Sequence, residues 1–271
     1  MTFKDALKAV CENEAMWMLE KATGLTVTQL RLLQPDTTLD AEACKSFLHM
    51  IEQRKQGTPL QYILGSWDFM GLEIKCEPGV LIPRSETEIL AQEVILFVEK
   101  LPGVPTILDI CTGSGCIGIS VAKFCPQSVV TLSDINPQAL TLAQQNAGIN
   151  KVADRLSFVK SDLFKNITGR FNCIIANPPY IPTGEIDSLQ EEVKKEPILA
   201  LDGGVDGLDF YRKIIPSSLD ILLPGGSIFL EIGHDQSKAV AEILRLNGFK
   251  AIVTIKDLQS RDRVVRGTRA K

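Results

Sequence analysis

Apolar residues recur at helical spacing through the first part of the chain. Between residues 2 and 57 they return every three or four positions, as in the stretch 6–22, and this pattern predicts amphipathic helices. Gly24 follows the first long stretch, and Asp40 precedes the second, which ends before Pro59 because proline cannot continue a helix. No strand pattern interrupts this region, so the sequence predicts a small N-terminal helical bundle.

A short passage with strand-like alternation follows the helical region. Residues 67–70 and 72–75 flank Gly71, and this arrangement predicts a β-hairpin. The residues Ser85-Glu86-Thr87-Glu88 match a capping box, which predicts that a helix begins there. The pattern divides the chain into three predicted parts: an N-terminal helical domain at 1–64, a hairpin linker at 65–84 and a second domain at 85–271.

Strand-like and helix-like segments alternate after Pro105. Short apolar runs bounded by turn residues predict strands at 106–110, 129–132, 156–159, 171–176, 227–232, 249–255 and 263–267. The intervening segments predict helices at 117–124, 137–146, 209–223 and 237–246. Because strands that alternate with helices form parallel sheets, the pattern predicts a doubly wound, parallel α/β sheet.

The composition is that of a globular protein and narrows the range of partners. Of the 271 residues, 45% are hydrophobic and 23% charged, and the net charge at pH 7 is −4. Disordered, collagen-like and coiled-coil classes are excluded, and the acidic balance argues against a broad electrostatic grip on nucleic acid. No window reaches about 18 uninterrupted apolar residues. We therefore expect a cytoplasmic protein with two unequal domains, no membrane span and no stable nucleic-acid binding.

The cysteines and histidines are too scattered to suggest a metal site. The chain has seven cysteines, none of them in a C-x-x-C pair, and its two histidines are His49 and His234. A structural zinc ion needs a close cluster of such ligands, so we predict no metal. Scattered, unpaired thiols suit a reducing compartment.

A glycine-rich loop joins the first strand of the predicted sheet to its helix. Gly113-x-Gly115-x-x-Gly118 matches the fingerprint of dinucleotide-binding loops, and Asp134 ends the next strand about twenty residues on, where an acid binds ribose hydroxyls. The pattern predicts an adenosine-containing cofactor, which could be a nicotinamide dinucleotide or S-adenosylmethionine. Asp109 would repel a pyrophosphate and attract a cationic amino acid end, which favours S-adenosylmethionine.

A further acidic residue follows the third predicted strand. Asp162 and Leu163 come directly after it, in the segment Ser161-Asp162-Leu163-Phe164. Asp162 either accepts a hydrogen bond from the adenine amino group, with Leu163 packed on the ring, or caps the following helical turn. The residues leave both roles open.

The segment Asn177-Pro178-Pro179-Tyr180 follows the buried strand at 171–176. Two prolines end a strand, which is the simplest interpretation. The segment also places Asn177 at the carboxyl end of a central strand, where open α/β sheets bind their ligands. The Asn177 side-chain oxygen and the Pro178 carbonyl can each accept one N–H of a planar NH2 group and direct its lone pair toward a sulfonium methyl. The chemistry that fits is methylation of such a nitrogen.

These motifs together resemble those of the class I amino methyltransferases. The resemblance rests on Asp109-x-Cys111-Thr112-Gly113-Ser114-Gly115 and on Asn177-Pro178-Pro179-Tyr180. Leu81–Glu88 is similar to the I-P-R-x-x-T-E segment of one family within that class, the release factor glutamine methyltransferases. Similar segments occur along nearly the whole chain: Pro59–Gly65, Glu196-Pro197, Ala200-Leu201 and Gly203-x-x-x-Gly207.

The resemblance implies a mostly parallel, seven-stranded methyltransferase sheet and S-adenosylmethionine as cofactor. It implies N5-methylation of the glutamine in the Gly-Gly-Gln motif of class I peptide chain release factors, which the N-terminal helical domain would recognise. The cofactor would lie against Cys111, Thr112, Gly113, Ser114, Gly115, Asp134, Leu163 and Asn177, and the glutamine amide against Asn177, Pro178, Pro179 and Tyr180. Cys111 departs from the family pattern, since many relatives have glycine there.

Two other functions account for part of the pattern. A DNA or RNA amino methyltransferase shares the chemistry of Asn177–Tyr180, and the basic residues between 261 and 271 could contact phosphate. An NAD-type oxidoreductase explains the glycine loop but gives Asn177–Tyr180 no role. The acidic balance favours a protein substrate over a nucleic acid.

Overall fold

The computed structural model describes all 271 residues, which divide into two compact units. The first unit comprises Met1–Ser66 together with Gln190–Lys195, and the second comprises Trp67–Leu189 together with Glu196–Lys271. None of the helices in either unit combines the length and the apolar character needed to cross a membrane.

The first unit contains five α-helices and one short 3-10 helix, Val193–Lys195. The α-helices are α1 (Phe3–Leu7), α2 (Glu12–Thr23), α3 (Val27–Arg31), α4 (Ala41–Lys55) and α5 (Leu60–Leu64). Helix α2 ends at Gly24, whose φ of 71° is the left-handed conformation common at helix C-termini. The Asp40 side chain accepts the Ala43 N–H at the start of α4, and α2 and α4 pack together with Leu19 and Phe47 fully buried. The helical pattern of the N-terminal sequence is confirmed.

The predicted hairpin is present. Its strands are β1 (Ser66–Phe69) and β2 (Leu72–Lys75). The two residues between them, Met70 and Gly71, both have positive φ, as the type of turn that joins two twisted strands requires. Gly71 therefore makes the turn that its position in the sequence predicts.

The helix α6 (Thr87–Val98) follows, but without the capping box that the sequence predicts. No side chain caps its N-terminus. The Ser85 hydroxyl donates instead to Glu86 Oε2 at 3.0 Å, and Glu88 Oε1 accepts the Met70 N–H at 2.9 Å. The prediction is wrong because the hairpin binds the carboxylate that a capping box would need.

A seven-stranded sheet forms the centre of the second unit. Its strands are β3 (Thr106–Ile110), β4 (Val129–Asp134), β5 (Leu156–Lys160), β6 (Phe171–Ala176), β7 (Leu222–Glu231), β8 (Lys250–Lys256) and β9 (Asp262–Thr268). They lie in the order β5-β4-β3-β6-β7-β9-β8. Strand β9 is antiparallel to both neighbours, whereas the other pairs are parallel. The predicted mostly parallel sheet of seven strands is confirmed.

Helices cover both faces of this sheet. Besides α6 they are α7 (Cys116–Phe124), α8 (Pro137–Ile149), α9 (Asp209–Ile221) and α10 (Ser237–Leu246). Alternate residues of a strand point to opposite faces. On β3, Ile107 belongs to a buried cluster with residues of α6 and α7, whereas Leu108 belongs to one with residues of α9 and α10. The fold is therefore doubly wound, and its central strand is buried on both faces.

The order of the strands reverses between β3 and β6. From β3 the chain continues outward to β4 and β5 on one side, and from β6 it continues to β7 on the other. Strands β3 and β6 pair in parallel, with Ile110 opposite Ala176, so the segments after these strands leave the same edge. Such a switch point is where open α/β sheets bind their ligands.

Candidate active site

A cavity of about 220 Å³ opens at this switch point. Its wall brings together most of the residues that the sequence analysis selects: Cys111, Thr112, Gly113, Ser114, Asp134, Asp162, Leu163, Asn177 and Pro179. Gly115, Pro178 and Tyr180 do not line it. The segments that follow the four strands β3, β4, β5 and β6 therefore all contribute to the cavity wall.

The glycine loop between β3 and α7 has an unusual backbone. Cys111, Gly113 and Gly115 have φ angles of 56°, 54° and 82°, in the left-handed region. A Cβ atom on Gly115 would lie 2.9 Å from the Ala143 Cβ, so this glycine allows close packing against α8 rather than contact with a ligand. A side chain in the left-handed conformation costs roughly 1–2 kcal/mol. Cys111 therefore places strain at a position where the family pattern has glycine.

The Asp134 carboxylate ties this loop to the end of β4. Its Oδ2 accepts the Gly113 N–H at 2.9 Å, and its Oδ1 accepts the Asn136 N–H at 2.9 Å. Burial raises the pKa of Asp134, and these backbone hydrogen bonds oppose the rise. Each carboxylate oxygen can accept more than one hydrogen bond. Asp134 can therefore hold the loop and still accept hydrogen bonds from ribose hydroxyls.

Asp109 lies behind the loop, fully buried and outside the cavity wall. Its Oδ2 accepts the Thr112 hydroxyl at 2.6 Å and the Gly118 N–H at 3.1 Å, whereas its Oδ1 has no partner. Burial raises the pKa of this carboxyl group to about 7. Asp109 therefore affects a ligand through Thr112 and through its charge rather than by contact.

Negative charge surrounds the glycine loop. The pKa of the Cys111 thiol is raised first by burial and then by the carboxylates of Asp134, Asp109 and Asp162. A field of this sign repels a pyrophosphate and attracts a sulfonium or ammonium group, so the residues present fit S-adenosylmethionine better than a nicotinamide dinucleotide. The same environment keeps Cys111 protonated, and a protonated thiol is a poor nucleophile.

Asp162 forms an ion pair rather than a helix cap. Its Oδ2 lies 2.6 Å from Lys165 Nζ, and half of its side chain is exposed. Leu163, with a φ of 50°, also lies at the cavity wall. Asp162 therefore caps no helical turn, and it lines the cavity together with Leu163.

The segment from Asn177 to Tyr180 is held from three directions. Asn177 Nδ2 donates to Thr87 Oγ1 of α6 at 3.4 Å. The Tyr180 carbonyl accepts the Gln236 Nε2–H at 2.9 Å. A Cβ atom on Gly203 would lie 2.7 Å from Tyr180 Cα, so the backbone after the segment packs directly against it. These contacts fix the position of the segment that carries Asn177.

An ion pair that the motif analysis did not predict joins two segments of the cavity wall. Glu196 is buried, forms an ion pair with Arg84 and accepts the Ile82 N–H at 3.0 Å. Residues 79–84 and 197–200 both contribute to the cavity wall. Glu196 therefore links these two segments of the cavity wall. The family resemblance at Leu81–Glu88 and Glu196-Pro197 is the signal that could have found it.

Phe210 and Lys213 of α9 also line the cavity, as does Thr87 at the start of α6. Lys213 Nζ lies 5.6 Å from the centroid of the Phe210 ring. Nothing in the sequence distinguishes these two residues from the other residues of an amphipathic helix, so the sequence analysis did not select them.

Comparison with known proteins identifies the family. Residues 87–196 match the model of the methyltransferase small domain, and residues 3–65 match that of the PrmC N-terminal domain. The release factor glutamine methyltransferase of Thermodesulfovibrio yellowstonii is 41% identical over 89% of this chain and 87% of its own length. That of Clostridium acetobutylicum is 42% identical over 85% of this chain and 82% of its own length. The chain belongs to the release factor glutamine methyltransferase family.

Two solved methyltransferase structures share the fold of this member of the release factor glutamine methyltransferase family. A ribosomal protein L11 methylase from Lactobacillus delbrueckii subsp. bulgaricus has a TM-score of 0.53 and 21% identity, with 73% of this chain and 86% of that chain covered. A methyltransferase from Pyrococcus furiosus has a TM-score of 0.55 and 18% identity, with 75% and 91% covered. The family, the enzyme class and the methyltransferase fold inferred from the sequence are confirmed, and the oxidoreductase alternative has no support here.

Proposed function

We propose that this chain methylates the N5 amide nitrogen of the glutamine in the Gly-Gly-Gln motif of class I peptide chain release factors, with S-adenosylmethionine as methyl donor. The position of Asn177 carries the proposal. It lies in the cavity wall with the glycine loop, and its Nδ2 is turned to Thr87, which leaves Oδ1 for a substrate N–H. The relatives named as release factor glutamine methyltransferases support the choice of substrate.

The chemistry needs hydrogen-bond acceptors rather than a strong base. A glutamine amide nitrogen is a weak nucleophile because its lone pair is delocalised into the carbonyl group. In the proposal, Asn177 Oδ1 accepts one of its N–H bonds. The carbonyl of the adjacent Pro178, which lies outside the cavity wall, accepts the other N–H once substrate binds. The two acceptors direct the lone pair and favour a tetrahedral nitrogen. Bound S-adenosylmethionine supplies an electrophilic methyl group. The nitrogen becomes acidic only as it is methylated, so its proton can then pass to solvent.

The cofactor is proposed to lie along the glycine loop. Asp134 would accept hydrogen bonds from the ribose hydroxyls, and Asp162 and Leu163 would contact the adenine. The negative charge around Cys111 would favour the sulfonium and ammonium groups. Each assignment places a cofactor group next to a side chain of complementary chemistry.

The N-terminal helices are proposed to recognise the release factor. A three-residue target offers little contact area, and specificity therefore requires a second surface. The helical domain at 1–64 matches the PrmC N-terminal domain over residues 3–65. We assign this recognition to that domain.

Mass spectrometry of a release factor incubated with the protein and isotopically labelled S-adenosylmethionine tests the proposal. We expect one added methyl group on the glutamine of the Gly-Gly-Gln motif. A release factor with that glutamine replaced by alanine is the matched control and should remain unlabelled. Label on another residue would contradict the proposal, and label on DNA or RNA would favour the nucleic-acid alternative.

A further inference from the structure

Asn146, in the last turn of α8, has a buried amide side chain to which the proposed function gives no role. It is fully buried and lies outside the cavity wall. Its Oδ1 accepts the Lys75 N–H at 2.8 Å, and its Nδ2 donates to the Ser114 carbonyl at 2.9 Å and to the Lys75 carbonyl at 3.4 Å. Asn146 therefore joins three parts of the second unit: α8, strand β2 of the hairpin and the glycine loop.

The contact with β2 fixes the orientation of the Asn146 amide. A backbone N–H only donates, so the group that faces the Lys75 N–H must be the oxygen of Asn146. The two protons of the NH2 group then go to the carbonyls of Ser114 and Lys75, which only accept. If the amide were reversed, its NH2 group would face an N–H and its oxygen would face a carbonyl. The hairpin therefore determines that Asn146 presents a donor to the glycine loop.

This donor holds one peptide group of the glycine loop. The Ser114 carbonyl and the Gly115 N–H belong to the same planar peptide group. Asn146 binds its oxygen, and the Thr112 carbonyl accepts its N–H at 2.9 Å. Gly113 and Gly115, on either side of Ser114, both have positive φ. Because glycine adopts positive and negative φ about equally well, contacts with the rest of the fold must select this conformation, and Asn146 provides one of them.

We propose that Asn146 is a positioning residue for the cofactor, which holds the glycine loop in its binding conformation before S-adenosylmethionine enters. The inference rests on the proposed position of the cofactor along this loop. A preformed loop binds without further ordering, whereas a mobile loop must be ordered at a cost in affinity. Because Asn146 is itself oriented by β2, the hairpin that the sequence predicts as a linker also supports the cofactor site.

Calorimetric titration of matched variants with S-adenosylmethionine tests the inference. Asn146→Leu removes the hydrogen bonds without adding a charge near the acidic residues around the loop. Asn150→Leu is the matched control: Asn150 lies one turn later on α8, and its Nδ2 donates to the Glu73 carbonyl of β2 at 2.9 Å rather than to the loop. We expect the Kd to rise about tenfold in Asn146→Leu, the scale of one hydrogen bond. In Asn150→Leu it should stay within about twofold of wild type.

Two further measurements separate positioning from stability. At saturating S-adenosylmethionine, kcat should stay within about threefold of wild type in both variants, because the bound cofactor orders the loop. Hydrogen exchange of the peptide that contains residues 112–115, followed by mass spectrometry, should be faster in free Asn146→Leu than in the free wild-type protein. Bound cofactor should restore the wild-type rate. Asn150→Leu should exchange at the wild-type rate in both states.

Thermal melting accompanies each assay. If Asn146→Leu does not fold, Asn146→Ser, which keeps a polar group but lacks the NH2, takes its place, with Asn150→Ser as control. A Kd within about twofold of wild type in the folded Asn146 variant would overturn the inference. An equal rise in the Asn146 and Asn150 variants would also overturn it, because it indicates a merely structural contact between α8 and β2. If the wild-type protein itself does not bind S-adenosylmethionine, the proposed function fails instead, so the two failures are distinguishable.

Discussion

The orientation of Asn177 depends on a side chain that is distant in sequence. A polar residue directly after a buried strand is a local pattern, so the sequence could identify Asn177, and the glycine spacing could identify Gly113 and Asp134. Thr87 comes from a helix elsewhere in the chain, and its contact with Asn177 depends on tertiary structure. At the scale of residues, the sequence predicts the groups proposed to face the ligand but not the groups that orient them.

Replacing Asn177 should separate catalysis from cofactor binding. In Asn177→Ala the acceptor Oδ1 is lost, and we expect kcat to fall by about two to three orders of magnitude, as when one preorganised hydrogen-bonding group is removed. The Kd for S-adenosylmethionine, measured by calorimetry, should stay within about threefold of wild type. Asn247→Ala, outside the cavity, is the control. A kcat near that of wild type would remove Asn177 from the proposed chemistry.

Replacing Asp134 should weaken the cofactor instead. Asp134→Ala removes the proposed ribose acceptor and the acceptor of the Gly113 N–H. Charge-assisted hydrogen bonds contribute about 1.5–3 kcal/mol, so we expect the calorimetric Kd for S-adenosylmethionine to rise about ten- to hundredfold. The control is Asp220→Ala, at an exposed position of α9. Unchanged affinity in Asp134→Ala would show that Asp134 does not hold the cofactor.

Secondary structure could be predicted best where its local pattern is uniform. The predicted bounds of β3 and β6 agree with the structure because both strands are short apolar runs between turn residues. Strand β7 begins at Leu222 rather than at the predicted residue 227. The prediction was too late because Pro224, Gly225 and Gly226 are residues typical of a turn. Pairing of Leu222 with Phe171 extends the strand past them, with an irregularity in β6. The antiparallel position of β9 between β7 and β8 is likewise a long-range outcome that no local pattern indicates.

The close packing of Gly203 against the Asn177–Tyr180 segment gives a prediction at the scale of structural elements. A Cβ atom on Gly203 would lie 2.7 Å from Tyr180 Cα and 2.9 Å from the Pro179 carbonyl oxygen, so Gly203→Ala must displace the Asn177–Tyr180 segment. We expect a kcat at least tenfold lower and a lower melting temperature. Gly184→Ala is the matched control, because nothing lies within 4 Å of its added Cβ. Equal activity of both variants would show that the position of this segment is not critical.

At the scale of the whole molecule, the net charge of −4 gives no indication of how much negative charge lies around Cys111. Asp109, Asp134 and Asp162 are far apart in sequence, but the fold places all three around Cys111. The composition suggested an acidic protein, and only the order of the strands shows that part of this charge surrounds the cavity. A buried acid at such a position links the stability of the chain to pH.

The contribution of Asp109 to the stability of the protein should fall between about pH 4 and about pH 7. Burial raises the pKa of Asp109 from 3.8 to about 7, so the folded chain binds a proton there more tightly than the unfolded chain. That stabilisation is complete below about pH 4 and is lost as the pH rises through about 7. Asp109→Asn removes this titration. Over the same pH range, the urea midpoint of the variant should therefore fall less than that of the wild-type protein. Asp220→Asn should retain the full decrease, and an identical decrease in Asp109→Asn would contradict the assignment.

The ion pair between Arg84 and Glu196 has a consequence for how this chain varies between species. The two residues are 112 positions apart, yet loss of Arg84 would leave a buried carboxylate without its counter-charge, at a cost of about 3–5 kcal/mol. A mutation that changes one of them should therefore be tolerated only when the other residue changes too. Positions 84 and 196 should covary among relatives, and a chimera that takes residues 79–84 from another species should fold well only with that species' residue at position 196.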